Sequence, residues 1–226
     1  MDQMKRYAVY YAPREGAFAF RANEWLGREP GKGRDLPQPV LAGIGDPRGI
    51  TAEPRRYGFH GTLRAPFRLA EGMTEATVRD CVTRLASRLP PVVCDGLHLE
   101  TLRGFVALTP MGCEAALLDL GAAVVEGTDA LRAPLTEAEI ARRRPDHLSR
   151  RQRQLLERWG YPFVMEEFRF HLTLTDRLEA PDPVRAALEA FFAPVLPRPF
   201  VIEDLCLFGE DQSGRFHLLH RYALAG

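Results

Sequence analysis

Two five-residue segments decide the fold, Phe59-His60-Gly61-Thr62-Leu63 and Phe170-His171-Leu172-Thr173-Leu174. Each contains an HxT motif, a histidine followed two residues later by a threonine, between Phe and Leu. The two histidines lie 111 residues apart (171 − 60), and Phe105 and Phe216 keep the same separation (216 − 105). An internal duplication explains this agreement better than coincidence does.

The chain around each motif predicts the same order of elements: strand, helix, strand, strand. The first unit has strands at 57–64, 97–102 and 104–109 and a helix at about 74–89. The second has strands at 168–175, 200–208 and 215–224 and a helix at 183–193, with Asp182 as its N-cap. Apolar residues spaced three and four apart indicate both helices, and alternation indicates the strands.

The rest of the chain connects or precedes these units. A further helix is predicted at about 113–127, followed by basic helices over about 136–160, where Thr136 with Glu139 and Ser149 with Gln152 form capping boxes. A strand is predicted at 7–12, and the Gly- and Pro-rich stretch 14–56 is mostly loop with one short helix around Trp25. We therefore expect a single domain over 1–226, with one HxT lobe at about 57–130 and the other at about 163–224.

Composition excludes several classes of protein. Thirty basic and thirty acidic residues cancel, which argues against a general nucleic-acid binder, and 46% hydrophobic residues are typical of a globular protein. No apolar run reaches the length of a membrane span and no signal peptide is recognisable, so we expect a soluble cytoplasmic protein. The four cysteines form no CxxC pair, which predicts buried reduced thiols and neither a disulfide nor a zinc site.

Strand alternation separates a polar face from an apolar one in each motif. It places His60, Thr62 and Arg64 on one side of the first strand, and His171 with Thr173 on one side of the second. Imidazole titrates near neutrality, so one histidine can accept a proton while the other donates one. The threonine hydroxyls can donate hydrogen bonds to phosphoryl oxygens. Paired HxT strands therefore indicate phosphate ester chemistry without a metal.

The weaker candidates have competing structural explanations. Arg64 is on the same strand face as His60 and Thr62 and could reach a phosphate, but it could equally lie in solvent at the edge of the site. Tyr11 and Tyr57 could stack on a base or a ribose, although aromatic residues in strands more often belong to the core. The basic cluster at 142–153 is better explained as a solvated helix face than as an attractor of anionic substrates.

The two HxT motifs make the sequence resemble the two-histidine (2H) phosphoesterase superfamily, whose signature is a pair of H-x-[TS]-x motifs in a duplicated fold. The resemblance implies an α+β bilobal fold: two antiparallel sheets with helices outside and a cleft between lobes. It implies that His60 and His171 are acid and base and that Thr62 and Thr173 hold the phosphate. Gly61 departs mildly from the pattern, and we expect it to weaken core packing on the opposite face.

Three further segments resemble the bacterial branch of that superfamily that is linked by name to phosphonate metabolism. They are Tyr7 to Pro13, Trp159-Gly160-Tyr161-Pro162 and Phe168-Arg169-Phe170-His171. The expected activity is ring opening of a small cyclic phosphate ester, such as a cyclic nucleotide or cyclic ribose phosphate, with no metal and no cofactor. Alternatives are processing or ligation of RNA ends that carry a 2′,3′-cyclic phosphate, and a nucleotide-binding module without catalysis. The oligomeric state stays open.

Overall fold

Residues 4–226 form eleven strands and seven α-helices in the computed structural model. The strands are β1 (Arg6–Tyr11), β2 (Arg28–Glu29), β3 (Arg34–Asp35), β4 (Gly61–Phe67), β5 (Val92–Cys94), β6 (Gly96–Leu102), β7 (Phe105–Met111), β8 (Leu172–Thr173), β9 (Phe200–Ile202), β10 (Asp204–Glu210) and β11 (Phe216–Ala223). The helices are α1 (Ala17–Leu26), α2 (Ala52–Tyr57), α3 (Glu75–Ala86), α4 (Glu114–Thr128), α5 (Glu137–Arg142), α6 (Arg150–Trp159) and α7 (Pro181–Phe192). No helix in this described part is long and apolar enough to cross a membrane.

The main sheet has seven strands in the order β11-β10-β1-β4-β8-β7-β6, and every neighbouring pair is antiparallel. This confirms the α+β class and its antiparallel strands. The two expected sheets are joined, because β4 pairs with β8 through Gly61 and Leu172. The two HxT strands are thus neighbours at the centre of one continuous sheet.

The two sequence units are interleaved in that sheet. The β6-β7 hairpin of the first unit pairs with β8 of the second, and the β10-β11 hairpin of the second unit lies on the β4 side, next to β1. The helices are exchanged in the same way, since α3 packs on β10 and α7 packs on β6. Each half of the sheet therefore combines parts of both units, and neither half corresponds to one continuous stretch of sequence.

The sheet has a helix-covered face and a second face that carries the motif side chains. Apolar residues of α1, α3, α4 and α7 form one core with Val9, Leu63 and Leu172 of the sheet. On the other face Tyr10 packs in a smaller cluster with Phe208 and Phe216. The strand alternation expected from the sequence creates this division.

Local capping explains several helix boundaries. Both predicted capping boxes are present, with Thr136 accepting from the Glu139 amide and Ser149 from the Gln152 amide. Helix α7 begins earlier than predicted, at Pro181, so Asp182 lies in its first turn rather than at its N-cap. A carboxylate is favourable in either place because it faces the positive end of the helix dipole.

Both motif strands begin four residues later than predicted, at Gly61 and Leu172, and the second also ends two residues earlier, at Thr173. Residues before Gly58 belong to α2, and Gly58 ends that helix at φ 77° while its amide donates to the carbonyls of Pro54 and Arg55. In the second motif the amides of Leu174 and Thr175 both donate to the Val106 carbonyl, at 2.9 and 3.3 Å, so regular pairing stops. Both histidines consequently lie just before the first residue of a strand.

The stretch 14–56 is more structured than predicted, since it holds α1, the β2-β3 hairpin and most of α2. The Trp25 indole donates to the Leu174 carbonyl at 2.8 Å, which ties α1 to the second motif. Arg28 is fully buried and donates to the Arg56 carbonyl at 2.6 Å and to the Phe216 carbonyl. These contacts fasten the segment to the sheet beside the motifs.

The prediction of reduced cysteines is wrong for one pair, because Cys94 and Cys113 form a disulfide with Cα atoms 5.0 Å apart. The register of the β6-β7 hairpin explains it. Gly96 pairs with Met111, so continuing the register by two residues brings Cys94 opposite Cys113. The two cysteines lie at equal distances from the β6-β7 turn, and a CxxC pattern does not include such a pair. Cys81 and Cys206 are free thiols.

Candidate active site

The two HxT motifs meet where β4 and β8 run side by side. Because Gly61 pairs with Leu172 in an antiparallel register, His60 lies across from Thr173 and Thr62 across from His171. The two histidines are close enough for the charge of His171 to influence His60. The structure thus brings together all four residues on which the sequence prediction rested.

His60 lies between two tyrosine rings. Its ring centroid is 4.1 Å from that of Tyr10 and 5.5 Å from that of Tyr57, and Tyr57 in turn stacks on Phe216 at 4.7 Å. Burial lowers the pKa of His60 to about 4; the Gly58 carbonyl opposes this shift and His171 adds to it. His60 is therefore a neutral imidazole at pH 7.

His171 has a more open and more polar setting. One ring, that of Phe105, lies 5.6 Å from it. Burial lowers the pKa of His171, while the Arg169 carbonyl and the nearby Glu100 carboxylate raise it. Arg169, which carries like charge and pairs with Glu100 at 3.3 Å, lowers it further.

Both imidazoles are held in the same orientation by the backbone. His60 Nδ1 lies 2.9 Å from the Gly58 carbonyl oxygen, and His171 Nδ1 lies 2.7 Å from the Arg169 carbonyl oxygen. A carbonyl can only accept, so Nδ1 carries the proton in each ring. The Nε2 atom of each ring is then left to accept a proton when neutral or to donate one when protonated.

The motifs open onto two adjoining cavities. The larger, about 680 Å³, is lined by His60, Thr62 and Thr173, and the smaller, about 400 Å³, by His171 and Thr62. Within residues 4–226 neither the Thr62 nor the Thr173 hydroxyl has a hydrogen-bond partner. Two free hydroxyls beside two Nε2 atoms can bind the non-bridging oxygens of a phosphate.

Arg64 is not brought to this site. A β-bulge leaves Leu63 as an extra residue, because Tyr10 pairs with Thr62 whereas Val9 pairs with Arg64. Paired residues share a face, so Arg64 turns with Val9 toward the helices. There it is 2% exposed and pairs with Asp129 at 3.2 Å.

The tyrosine candidates have different positions. Tyr57 lines the larger cavity, next to His60. Tyr11 lies on the helix-covered face and packs edge-on against Phe170 and Phe200, with centroids 6.1 and 5.2 Å away. Tyr10, which sequence reasoning missed, lines the cavity. Neighbouring residues of a strand point to opposite faces, so alternation along β1 could have identified Tyr10 as the tyrosine on the motif face.

Gly61 does not weaken the core as expected. A Cβ atom at this position would lie 2.3 Å from Cζ of Phe170, so the ring of the second motif occupies the space that a side chain would need. The first motif therefore has glycine where the second has Leu172, because the Phe170 ring packs directly against the Gly61 backbone.

The larger cavity also collects charged and aromatic residues from outside the motifs. Five arginines line it, Arg6, Arg56, Arg142, Arg143 and Arg177, as do Phe105 and Tyr161. Arg142 and Arg143 belong to the basic cluster at 142–153, so at least this part of the cluster is not only a solvated helix face. Their position on the cavity depends on the packing of α5, which no local pattern reveals.

Within residues 4–226 no group of three or more His, Cys, Asp or Glu side chains is placed to hold a metal ion. His217 pairs instead with Asp211 at 2.7 Å, and His98 contacts the Thr109 hydroxyl at 3.2 Å.

Some solved structures align with nearly the whole of this chain, but their sequence identity to it is low. TT0787 of Thermus thermophilus is 16% identical with a TM-score of 0.47, over 98% of each chain. E. coli LigT in its apo form is 14% identical with a TM-score of 0.43, over 100% of each chain. Similarity at this level carries no argument about the chemistry of this chain.

Two curated relatives are more similar in sequence, and both are named ribose 1,5-bisphosphate phosphokinase PhnN. The protein from Janthinobacterium sp. (strain Marseille) is 38% identical over 224 residues, covering 94% of this chain and 49% of the relative. That from Laribacter hongkongensis (strain HLHK9) is 40% identical over 216 residues, covering 92% and 49%. The chain thus spans about half the length of these relatives.

A family model matches the chain from Thr62, the last residue of the first HxT motif, through the whole of the second motif. It is described as a protein of unknown function, DUF1045, and it matches residues 62–217, more than half of the 226 residues. The chain therefore belongs to the DUF1045 family, and it carries the paired HxT motifs by which its sequence resembles the two-histidine phosphoesterases.

Proposed function

We propose that this protein is a phosphodiesterase that opens a small cyclic phosphate ester by acid-base catalysis with His60 and His171, without a metal. The observation that carries the proposal is the pairing of the two HxT strands, with both Nδ1 atoms bonded to backbone carbonyls and both threonine hydroxyls unpartnered in the described chain. Such a site offers a base, an acid and two hydroxyls that can donate hydrogen bonds to a phosphate, all from two neighbouring strands.

In the proposed reaction, water attacks phosphorus while Nε2 of one histidine accepts its proton. The bond from phosphorus to one ring oxygen breaks, and that oxygen takes a proton from Nε2 of the other histidine. The product is a phosphate monoester with a free hydroxyl, so atoms and charge balance. Thr62 and Thr173 donate to the two non-bridging oxygens as negative charge increases on them.

The surroundings favour His60 as the base and His171 as the acid. His60 is held neutral by burial between two tyrosines, with its pKa at about 4. His171 has Glu100 nearby, which stabilises the protonated ring. A bound phosphate anion would favour protonation of both rings, most usefully that of His171, whose protonated form Glu100 already stabilises.

The relatives' name supports a sugar phosphate as the substrate class. Opening of a cyclic phosphate on ribose yields a ribose phosphate monoester, the class of compound that a ribose 1,5-bisphosphate kinase takes. A role in phosphonate metabolism, through the association of the resembled branch, is part of the proposal. The cytoplasmic location stays a prediction.

The test is an assay of the purified protein with chelator present, against 2′,3′-cyclic nucleotides, oligonucleotides with 2′,3′-cyclic ends and ribose 1,2-cyclic phosphates, beside His60→Ala and His171→Ala. We expect turnover by the wild type and loss in both variants. Activity abolished by the chelator would contradict the mechanism. Rates that rise with oligonucleotide length would favour RNA-end processing, and tight binding without turnover would favour a binding module.

A further inference from the structure

Five arginines and four carboxylates line the larger cavity. Of the five arginines that line it, Arg6 pairs with Glu210 at 2.8 Å and Arg56 lies 3.6 Å from Glu53. The other three, Arg142, Arg143 and Arg177, have no carboxylate partner among residues 4–226. Three unpaired guanidinium groups thus face one cavity in a chain of zero net charge.

None of the four acidic residues of the same cavity forms an ion pair with these three arginines. Glu139 pairs with Arg68 at 3.0 Å, and the Asp176 carboxylate accepts from the amides of Ala52 and Glu53 at 2.9 and 3.0 Å. The remaining two carboxylates are those paired with Arg6 and Arg56. Every carboxylate in the lining is therefore already engaged.

The three arginines come from two parts of the chain that meet only in the folded protein. Arg142 is the last residue of α5, Arg143 follows it, and Arg177 lies shortly after β8. The Arg143 guanidinium lies 4.8 Å from the centre of the Tyr161 ring, and Tyr161 lines both cavities. This contact orients a cation beside the motif threonines without neutralising it.

A charge at the end of α5 also complements the helix dipole, which would explain Arg142 and Arg143 without any ligand. That explanation does not extend to Arg177, which is not in a helix, and it does not require all three side chains to line one cavity.

We propose that Arg142, Arg143 and Arg177 form a second anion subsite, and that the substrate is a cyclic phosphodiester that carries a second phosphate. This inference rests on the proposed function and narrows its substrate class. Arginine guanidinium groups bind phosphate through paired N–H donors. A volume of about 680 Å³ accommodates a phosphorylated sugar in addition to the cyclic ester.

The experiment compares esters that differ only in the second phosphate: adenosine 2′,3′-cyclic phosphate with and without a 5′-phosphate, and ribose 1,2-cyclic phosphate with and without a 5-phosphate. The proteins are the wild type, Arg143→Ala, Arg177→Ala and, as a matched control, Arg150→Ala. Arg150 belongs to the same basic cluster but does not line the cavity. We expect the wild type and the control to prefer the doubly phosphorylated ester by about tenfold or more in kcat/KM. The preference should shrink severalfold in each of the other two variants.

Turnover without preference would overturn the second subsite, and a preference kept in Arg143→Ala and Arg177→Ala would overturn its assignment to these residues. Dissociation constants of the same esters, measured by calorimetry on His60→Ala, decide the inference even if no ester is turned over. Absence of turnover would count against the proposed function, whereas equal dissociation constants would count against the subsite.

Discussion

His60 lies between the rings of Tyr10 and Tyr57. Among residues 4–226 His171 has one aromatic neighbour, Phe105, and an ion pair between Arg169 and Glu100 lies nearby. The topology explains the difference. In the second half of the sheet the hairpin strand β7 pairs directly with β8, but in the first half β1 is inserted between β10 and β4. Strand β1 supplies Tyr10, and the end of α2 supplies Tyr57.

The repeated segments and the added segments contribute different properties to the site. The repeat contributes two histidines in the same tautomer, each bonded to the carbonyl two residues before it. The added β1 and α2 shield one of them from water. A site with two equivalent histidines thereby acquires one ring that is easier to keep neutral, which acid-base catalysis requires.

A change of leaving group tests whether His60 is the general base and His171 the general acid. On a cyclic alkyl ester we expect His60→Ala and His171→Ala each to lower kcat by about 10²-fold to 10⁴-fold. On an activated ester with a 4-nitrophenolate leaving group, which needs no proton, His171→Ala should regain most of its rate while His60→Ala should not. Recovery by His60→Ala instead would reverse the two roles.

The burial of His60 should make the free energy of unfolding depend on pH. Unfolded His60 binds a proton below about pH 6.5, but folded His60 does so only below about pH 4, so acid favours the unfolded state between these values. The free energy of unfolding should fall as the pH drops from 6.5 to 4, by at most about 3 kcal/mol from this group. Urea unfolding of the wild type and His60→Gln across this range measures it. Parallel pH profiles would show that His60 is not held neutral.

Much of the site was predictable because it depends on local spacing. Two HxT motifs with apolar neighbours are enough to place His60, Thr62, His171 and Thr173 on the polar faces of two strands. Their approach across a shared cleft followed from the resemblance, and the structure puts those strands side by side.

The predictions that were wrong concern features set by contacts between segments far apart in the sequence. Arg64 has the right parity along its own strand, but the bulge at Leu63 is set by the register with β1, more than 50 positions earlier in the chain. The Cys94–Cys113 disulfide likewise follows from hairpin register. The arginines of the cavity depend on where α5 docks, which a basic run alone does not reveal.

The contact between the motifs can be tested at Gly61. Replacement by Ala places a methyl group 2.3 Å from the Phe170 ring, so the ring or the strand must move. We expect the free energy of unfolding to fall by about 1–3 kcal/mol, as for other overpacked cores, and kcat to fall because Phe170 precedes His171. Gly31→Ala is the matched control, since its methyl group would meet one atom at 3.7 Å. Equal effects of both replacements would mean that the close approach is absent.

The smallest expected effect concerns the aromatic shield itself. Tyr57→Ala admits water to one side of His60, so the pKa of His60 should rise from about 4 toward its ordinary value, by about one unit. The acidic limb of the pH profile of kcat/KM should move up with it, whereas Phe105→Ala should raise the pKa of His171 and move the alkaline limb. Imidazole chemical shifts measured by NMR during a pH titration give both pKa values directly. If either replacement moved both limbs equally, the two environments would not be independent, and the added strand and helix could not be what distinguishes the two histidines.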